Sequence, residues 1–326
     1  MAGDAQQLLL EHGWREAAEE DIFWVHERGN VLMRAVCWVD DWQMSTNDEA
    51  KADWWMKTLI EHFDGHEVLP DAFLRLQIDY DCTEGTLKIH QRNYIEELPR
   101  TYQMEECNPT VTPMEPHTHL LAEDRPATPE LSRRVRYQEV VSCFQYLARW
   151  TQPELGILCS QLAKHLGNPG EVHWNAAVRV LRYLRGTSSK GITYKRSASN
   201  TNIMEDLVDA DRAPDAESRR SIEGYVFMID GGAVSWKAKQ QNCIAHSSAE
   251  GEFMAASKAS LEAIWLRRLL KSCGAPQPRA TTLYEDNRAC QLMSESPAHR
   301  ERSKRIDLRV YSLKEHVKSR CTCTGS

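Results

Sequence analysis

The sequence has no hydrophobic run of about 18 residues, the length that a membrane-spanning helix requires. Its N-terminus lacks a basic flank followed by an apolar core, so we expect no secretory signal. Its ten cysteines form no Cys-x-x-Cys pair, and thiols scattered singly are typical of reduced proteins. These absences argue against a membrane protein and a disulfide-stapled secreted protein. We therefore expect an intracellular protein that contacts no membrane.

An excess of positive charge is also missing, since the 326 residues carry a net charge of −7. Nucleic-acid phosphates are usually contacted by Lys and Arg, so this total argues mildly against such a partner. The charge is segregated, however: acids crowd into the first seventy residues, whereas the segments near 179–185 and 302–320 are basic. Arg179 and Arg182 lie in the first basic segment, as either a solvated helix face or phosphate contacts.

The N-terminal pattern predicts a hairpin over 31–46, followed by a helix over 47–63 that Asn47 or Asp48 caps. We expect Trp54, Leu59 and Phe63 on the apolar face of that helix. Two short strands, at 73–81 and 86–91, then flank a turn in which Gly85 suits a left-handed conformation. Residues 107–130 hold five of the 13 prolines and read as an extended linker.

Helices follow the linker, and strands come after them. The segments 153–166 and 170–187 predict two helices, the second with Val178, Leu181 and Leu184 on its apolar face and ending at Gly186. From residue 203 onward, three antiparallel strands precede a helix capped by Ser247 or Ser248, and a fourth strand precedes further helix. We expect a turn at Gly231-Gly232 and a long-helix face of Leu261, Ile264, Trp265 and Leu269. The order predicts a mixed sheet with flanking helices.

Four carboxylates in this half lie where strands end or helices begin: Asp209, Glu250, Asp286 and Asp307. Alone, each has an ordinary explanation, such as a helix-dipole contact for Glu250 or a cap for Asp286. Together they could hold two Mg²⁺ ions for phosphodiester cleavage, because Mg²⁺ prefers hard oxygen ligands. The pair Asp40 and Asp41 at the predicted hairpin tip leaves the same choice between a solvated turn and a metal site.

Several segments, in the right order, closely resemble the Pol polyprotein of copia-type LTR retrotransposons. The stretches "SRRSIEGYVFMIDGGAVSWKAKQQ", "AHSSAEGEFMAASKASLEAIWLRRLL" and "YEDNRACQL" resemble its ribonuclease H domain. "NPTVTPMEP" and "YQEVVSCFQYLARW" resemble its linker and connection region, and "WVDD" stands where the reverse transcriptase has its paired-aspartate hairpin. The resemblance covers nearly the whole chain, from about residue 20 to 318.

The resemblance implies an α/β fold with a truncated reverse-transcriptase palm and thumb-like region over 1–106 and the linker over 107–130. A helical connection over 131–198, a ribonuclease H-like mixed sheet with flanking helices over 199–320, and a tail over 321–326 would follow. Only about 38 residues precede the hairpin, so we expect incomplete polymerase machinery. Arg212 and Arg305 depart from the family pattern, as expected of a decaying copy.

The resemblance also implies roles. Asp209 would bridge two Mg²⁺ ions, for which Mn²⁺ could substitute, Glu250 and Asp286 would each hold one, and Asp307 would complete the second site. Asp40 and Asp41 would be the polymerase's catalytic pair. The activity would be hydrolysis of the RNA strand of an RNA–DNA hybrid, and the implied nucleic-acid partner is such a hybrid or a template–primer. Phosphate contacts, or ordinary surface charge, are expected from a basic set: Arg179, Arg182, Arg219, Arg220 and Lys237.

The family context adds partners and alternatives. Other Pol or Gag products of the element are implied partners, and a cytoplasmic virus-like particle or the nucleus is the implied location. A catalytically inactive nucleic-acid-binding remnant is the alternative function, because residues around Arg212 and Arg305 have drifted. A translated fragment without a stable fold is a third possibility, in which proteolysis would leave a resistant piece beginning near residue 200.

Overall fold

The computed structural model describes most of the chain. The described residues are 2–18, 20–39, 41–67, 72–115, 118–196, 203–211, 220–242, 244–245, 247–288, 290 and 322–325. They form a mixed α/β structure with three small sheets and seven α-helices. None of the described helices is long and apolar enough to cross a bilayer.

The N-terminal unit is a four-stranded antiparallel sheet with two helices. Its elements are α1 (Ala2–Glu11), β1 (Arg15–Ala17), β2 (Glu20–Arg28), β3 (Val31–Trp38), β4 (Asp41–Thr46) and α2 (Glu49–Phe63). The strands follow chain order across the sheet, and β3 and β4 form the expected hairpin. Asp48 caps α2, since its side chain accepts a hydrogen bond from the Lys51 N–H at 3.0 Å.

The predicted apolar face of α2 is wrong at one position. Trp55 is fully buried with Leu59, whereas Trp54 is 38 % exposed. Both tryptophans fit a helical period, and their neighbours in space decide which one the core takes. Trp55 packs near Trp14 and Leu9, in a core that β1 and α1 complete.

The second sheet is assembled from two distant parts of the chain. Its strands are β5 (Ala72–Phe73), β6 (Leu76–Asp81), β7 (Thr86–His90) and β8 (Gly191–Lys195), paired antiparallel in that order. Gly85 has φ +64° in the β6–β7 turn, as the sequence predicts. The sequence predicts a purely helical connection region. In the structure, β8 lies within that region and pairs with β7, which joins the region to the N-terminal half.

A helical layer follows the second sheet. Its elements are α3 (Arg92–Thr101), α4 (Leu131–Trp150), α5 (Gly156–Ala163) and α6 (Glu171–Gly186). The layer has a continuous apolar core that includes Phe144, Leu158 and Leu181. On α6, Leu181 and Leu184 are buried as predicted, but Val180 takes the place expected for Val178, which is half-buried.

The proline-rich segment packs against α6 and is not a free spacer. Arg179 donates to the Glu115 carboxylate at 2.7 Å, and Arg182 Nε donates to the Asn108 carbonyl at 2.7 Å. Both guanidinium groups are thus engaged by the linker, which gives them a structural role. Their predicted contact with nucleic-acid phosphates stays untested and would have to compete with these bonds.

The C-terminal unit is a five-stranded mixed sheet covered by a long helix. Its elements are β9 (Glu205–Asp211), β10 (Ile222–Ile229), β11 (Gly232–Gln240), α7 (Ser248–Ser272), β12 (Thr281–Tyr284) and β13 (Thr322–Gly325). The strand order is β11-β10-β9-β12-β13, with β9 and β10 antiparallel and β9 and β12 parallel. The expected tail therefore contributes an edge strand, parallel to β12.

Two local predictions in this unit are corrected. The β10–β11 turn is formed by Asp230 and Gly231, which both have positive φ, and Gly232 already pairs with Ile229. The core face of α7 consists mainly of small residues and Phe253, whereas Leu261 is 55 % exposed. The small side chains allow the helix to pack closely on the sheet, and the larger Phe253 and Leu266 are buried in the same cluster.

Candidate metal centre

Three carboxylates from three elements meet at one edge of the C-terminal sheet. Asp209 lies in β9, Glu252 lies near the start of α7, and Asp286 lies two residues beyond β12. One carboxylate oxygen from each lies within 4.8 Å of the other two. Among the described residues, no other group of three or more His, Cys, Asp or Glu side chains meets that criterion.

The sheet itself places two of the three acids. Asp209 is opposite Gly224 in the β9–β10 ladder. Tyr284 pairs with Leu207 across the parallel β9–β12 ladder, so continuing that register sets Asp286 beside Asp209. Both side chains are exposed, which leaves this edge open to a charged substrate.

The third acid comes from α7, and it is not the one that the sequence suggested. Ser247 caps the helix by accepting a hydrogen bond from the Glu250 N–H at 3.1 Å. Two residues along an α-helix turn through about 200°, so Glu250 and Glu252 point to nearly opposite sides. Glu252 is the one in the acid cluster and is buried, while Glu250 lies outside it.

A pattern in the sequence could have identified Glu252. Glu252, Ala256, Ala259 and Ala263 recur at spacings of four, three and four, which places them on one helix face. That face is the buried one. The expectation that large apolar side chains mark the buried face is wrong for this helix at Leu261, whereas Glu250 was predicted from its place in the first turn and from the family resemblance.

The electrostatics of the site reflect an excess of negative charge. The pKa of Glu252 is raised to about 8, chiefly by burial, then by the charges of Glu285 and Asp209. A hydrogen bond from the Ala210 N–H opposes this shift. Burial also raises the pKa of the neighbouring Glu285 carboxyl, and the charge of Asp286 adds to that rise. A cation bound at this edge would relieve the mutual repulsion.

The donors suit Mg²⁺ or Mn²⁺. All three are hard carboxylate oxygens, the ligands that Mg²⁺ prefers. Glu252 Oε2 is buried and has no hydrogen-bond partner among the described residues, an arrangement that normally costs free energy. Coordination of a cation by that oxygen would remove the cost.

Only some of the other predicted site residues are among the described residues. Asp40, Arg219 and Asp307 lie outside the described residues. Asp41 is exposed at the first position of β4, where it pairs with Trp38 across the hairpin. Arg220, just before β10, and Lys237, on β11, are exposed. Glu252 and Glu285 are the residues near the acid cluster that sequence reasoning missed.

Comparisons with known proteins identify the family. Retrovirus-related Pol polyproteins from plant transposons match most of the chain at 28–31% identity. The protein from transposon TNT 1-94 of Nicotiana tabacum is 31% identical over 292 residues, which are 88% of this chain and 22% of that protein. The chain thus spans about a fifth of the length of these curated relatives.

Two further similarities complete the comparison. The secreted RxLR effector protein 161 of Plasmopara viticola is 42% identical over 134 residues, 41% of this chain and 93% of that protein. A solved foamy viral protease-reverse transcriptase in complex with RNA/DNA hybrid has a TM-score of 0.40 and 11% identity, covering 89% of this chain and 40% of that one. No family model matches the chain. Over most of its length, the chain is therefore similar to the retrovirus-related Pol polyproteins of copia-type transposons.

Proposed function

We propose that the C-terminal sheet and α7 form a metal-dependent ribonuclease that hydrolyses the RNA strand of RNA–DNA hybrids. The observation that carries this proposal is the convergence of Asp209, Glu252 and Asp286 at one edge of the sheet. The resemblance of this segment to the ribonuclease H domain of copia-type elements supports it. So does the element order, three antiparallel strands followed by a helix and a further strand.

In this proposal the three carboxylates hold Mg²⁺, with Asp307 as a further predicted ligand. Bound Mg²⁺ would polarise the scissile phosphate and lower the pKa of water. The exposed Asp209 and Asp286 leave room for the phosphate. Glu252 has to lose its proton before it can coordinate a cation, since only the carboxylate is a ligand.

Substrate recognition in this proposal depends on shape and charge. A hybrid duplex is read through its backbone and its 2′-hydroxyl groups, with little contact to base edges. The exposed Arg220 and Lys237 are the described candidates for phosphate contacts, and Arg219 is a predicted one. We propose no polymerase activity, and other Pol or Gag products of the element remain proposed partners.

The neighbouring glutamates on α7 offer a matched test. A labelled RNA–DNA hybrid is incubated with purified protein and Mg²⁺ or Mn²⁺, beside the variants Asp209→Asn, Glu252→Gln and Glu250→Gln. We expect Asp209→Asn and Glu252→Gln to lose cleavage by at least about 100-fold, because each removes a proposed metal ligand. Glu250→Gln should retain cleavage within about threefold, although it makes the same chemical change two residues away.

Other outcomes would redirect the proposal. If the folded wild-type protein binds the hybrid in a salt-sensitive manner but never cuts it, the inactive nucleic-acid-binding remnant becomes the better description. If Glu250→Gln abolishes cleavage of the hybrid and Glu252→Gln retains it, the cluster of Asp209, Glu252 and Asp286 is not the catalytic one.

A further inference from the structure

Gln241 connects the end of the sheet to the start of α7. It directly follows β11 and is buried. Its backbone N–H donates to the Ser221 carbonyl at 2.8 Å, just before β10. Its side-chain Nε2 donates to the Gly251 carbonyl at 2.8 Å, in a bond that is also buried. Gly251 immediately precedes Glu252, the helix member of the acid cluster.

We propose that Gln241 is a positioning residue for the metal centre and acts by fixing the first turn of α7. The inference depends on the metal site of the proposed function, but not on cleavage itself. Asp209 and Asp286 are placed by neighbouring strands of one sheet. Glu252 belongs to a helix that the strand ladders do not hold, so its position depends on how that helix is docked.

Ser221 and Ala245 face Gly251 and limit movement of the first turn of α7 toward them. A Cβ atom built on Gly251 would lie at ordinary contact distances, 3.4 Å from Ser221 Oγ and 3.6 Å from Ala245 Cβ, so the surface leaves room for about one methyl group there. Such packing limits approach but does not stop the helix from rotating or lifting away. A directional hydrogen bond from a buried amide restricts both movements.

Small rotations matter at this site. A side-chain tip about 5 Å from a helix axis moves roughly 2 Å when the helix rotates by about 20°. The three ligand oxygens lie within 4.8 Å of one another, so a displacement of that size would break the set. Removing a group that orients a metal ligand typically weakens metal binding by about 10–100-fold.

The test compares two variants that each lose a buried amide. Gln241→Met keeps a similar volume and loses the donor to Gly251. The control is Gln91→Met, because Gln91 is fully buried in the helical layer, where its Oε1 accepts from Thr151. Mn²⁺ binding is measured by calorimetric titration of the full chain, counting only the binding that Asp209→Asn abolishes. Unfolding is followed for each variant.

We expect Gln241→Met to weaken that Mn²⁺ binding about tenfold or more, and Gln91→Met to change it less than twofold despite a similar loss of stability. In the cleavage assay, excess Mg²⁺ should restore Gln241→Met but not Asp209→Asn. If Gln241→Met fails to fold, Gln241→Glu keeps the shape, places an oxygen against the Gly251 carbonyl, and should show the same weakening.

Two results would overturn the inference. One is a folded Gln241 variant that binds Mn²⁺ within twofold of wild type. The other is a wild-type protein without Asp209-dependent Mn²⁺ binding, because there would be no metal centre to position. A wild-type protein that binds Mn²⁺ and never cleaves the hybrid would contradict the proposed function alone, since the comparison of Mn²⁺ affinities would still stand.

Discussion

At the scale of single residues, the C-terminal unit carries more buried acid than an ordinary core. Asp206 is fully buried in β9, on the face that meets α7, and the backbone N–H groups of Val226 and Leu207 lie close enough to lower its pKa somewhat. Burial raises the pKa of Asp206 to about 8, with the charge of Glu262 adding to the effect. The native state therefore holds a proton that an unfolded chain releases near pH 4.

This difference in protonation between the native and unfolded states determines how the stability changes with pH. Between about pH 4 and pH 8 the native state binds more protons than the unfolded state, so the free energy of unfolding falls as pH rises through that window. Asp206→Asn cannot ionise, and we expect it to weaken this dependence, to which Glu252 and Glu285 also contribute, and to stabilise the protein at pH 8 by on the order of 2 kcal/mol. Thermal unfolding at pH 5 and pH 8 checks the prediction, with the exposed Asp41→Asn as control. An Asp206→Asn variant with the wild-type pH profile would contradict it.

At the scale of elements, α7 shows how a helix face is chosen. Its buried stripe runs through Ala256, Ala259 and Ala263, while the large Leu261 points largely into solvent. Helical spacing alone groups residues into faces but does not say which face a sheet will cover. The sheet covers the small face because a close approach brings Phe253 and the strand side chains into contact.

The two faces should respond oppositely to a change of size. Ala259→Leu inserts three carbon atoms into a packed interface, and we expect it to lower the free energy of unfolding by about 1–3 kcal/mol. Leu261→Ala removes the same atoms from an exposed position and should cost less than about 1 kcal/mol. Chemical denaturation of both variants measures the difference. The reverse ranking would mean that the face predicted from the large residues is the buried one.

At the scale of the whole molecule, the C-terminal unit is joined to the N-terminal sheet, the second sheet and the helical layer by specific hydrogen bonds. Trp236 Nε1, on β11, donates to the Ala148 carbonyl at 2.8 Å. Tyr194 OH, on β8, donates to the Ala233 carbonyl at 2.7 Å. Arg34 Nε, on β3, donates to the Cys273 carbonyl at 2.6 Å, at the end of α7. These contacts argue against a C-terminal unit that separates easily from a loosely folded remainder.

Limited proteolysis tests this coupling. We expect wild-type protein to resist release of a fragment beginning near residue 200. The double variant Tyr194→Phe, Trp236→Phe loses two hydrogen bonds between the C-terminal unit and the rest of the chain. Each bond is worth about 1 kcal/mol, so release of the fragment should accelerate severalfold or more. Tyr137→Phe serves as control, because its hydroxyl bonds the Leu162 carbonyl within the helical layer. Equal release from both variants, or rapid release from wild type, would refute the coupling.

The sequence by itself determined the local features of this protein. The sequence narrowed the caps to Asn47 or Asp48 and to Ser247 or Ser248, and the turn at Gly85 and the order of strands and helix from β9 to β12 agree with its predictions. The family resemblance also came from the amino-acid sequences of short segments. Within the acid cluster, Asp209 and Asp286 could be named because strand ends are visible in the pattern.

The tertiary structure alone decided what depends on contacts between distant segments. It selected Glu252 over Glu250 and Trp55 over Trp54, since periodicity defines the faces of a helix but packing chooses which one is buried. It also placed β8 beside β7, about a hundred residues away in the chain, and laid the linker on the arginines of α6. Those pairings depend on the shapes and free hydrogen-bonding groups that distant elements present to one another, and no local pattern encodes them.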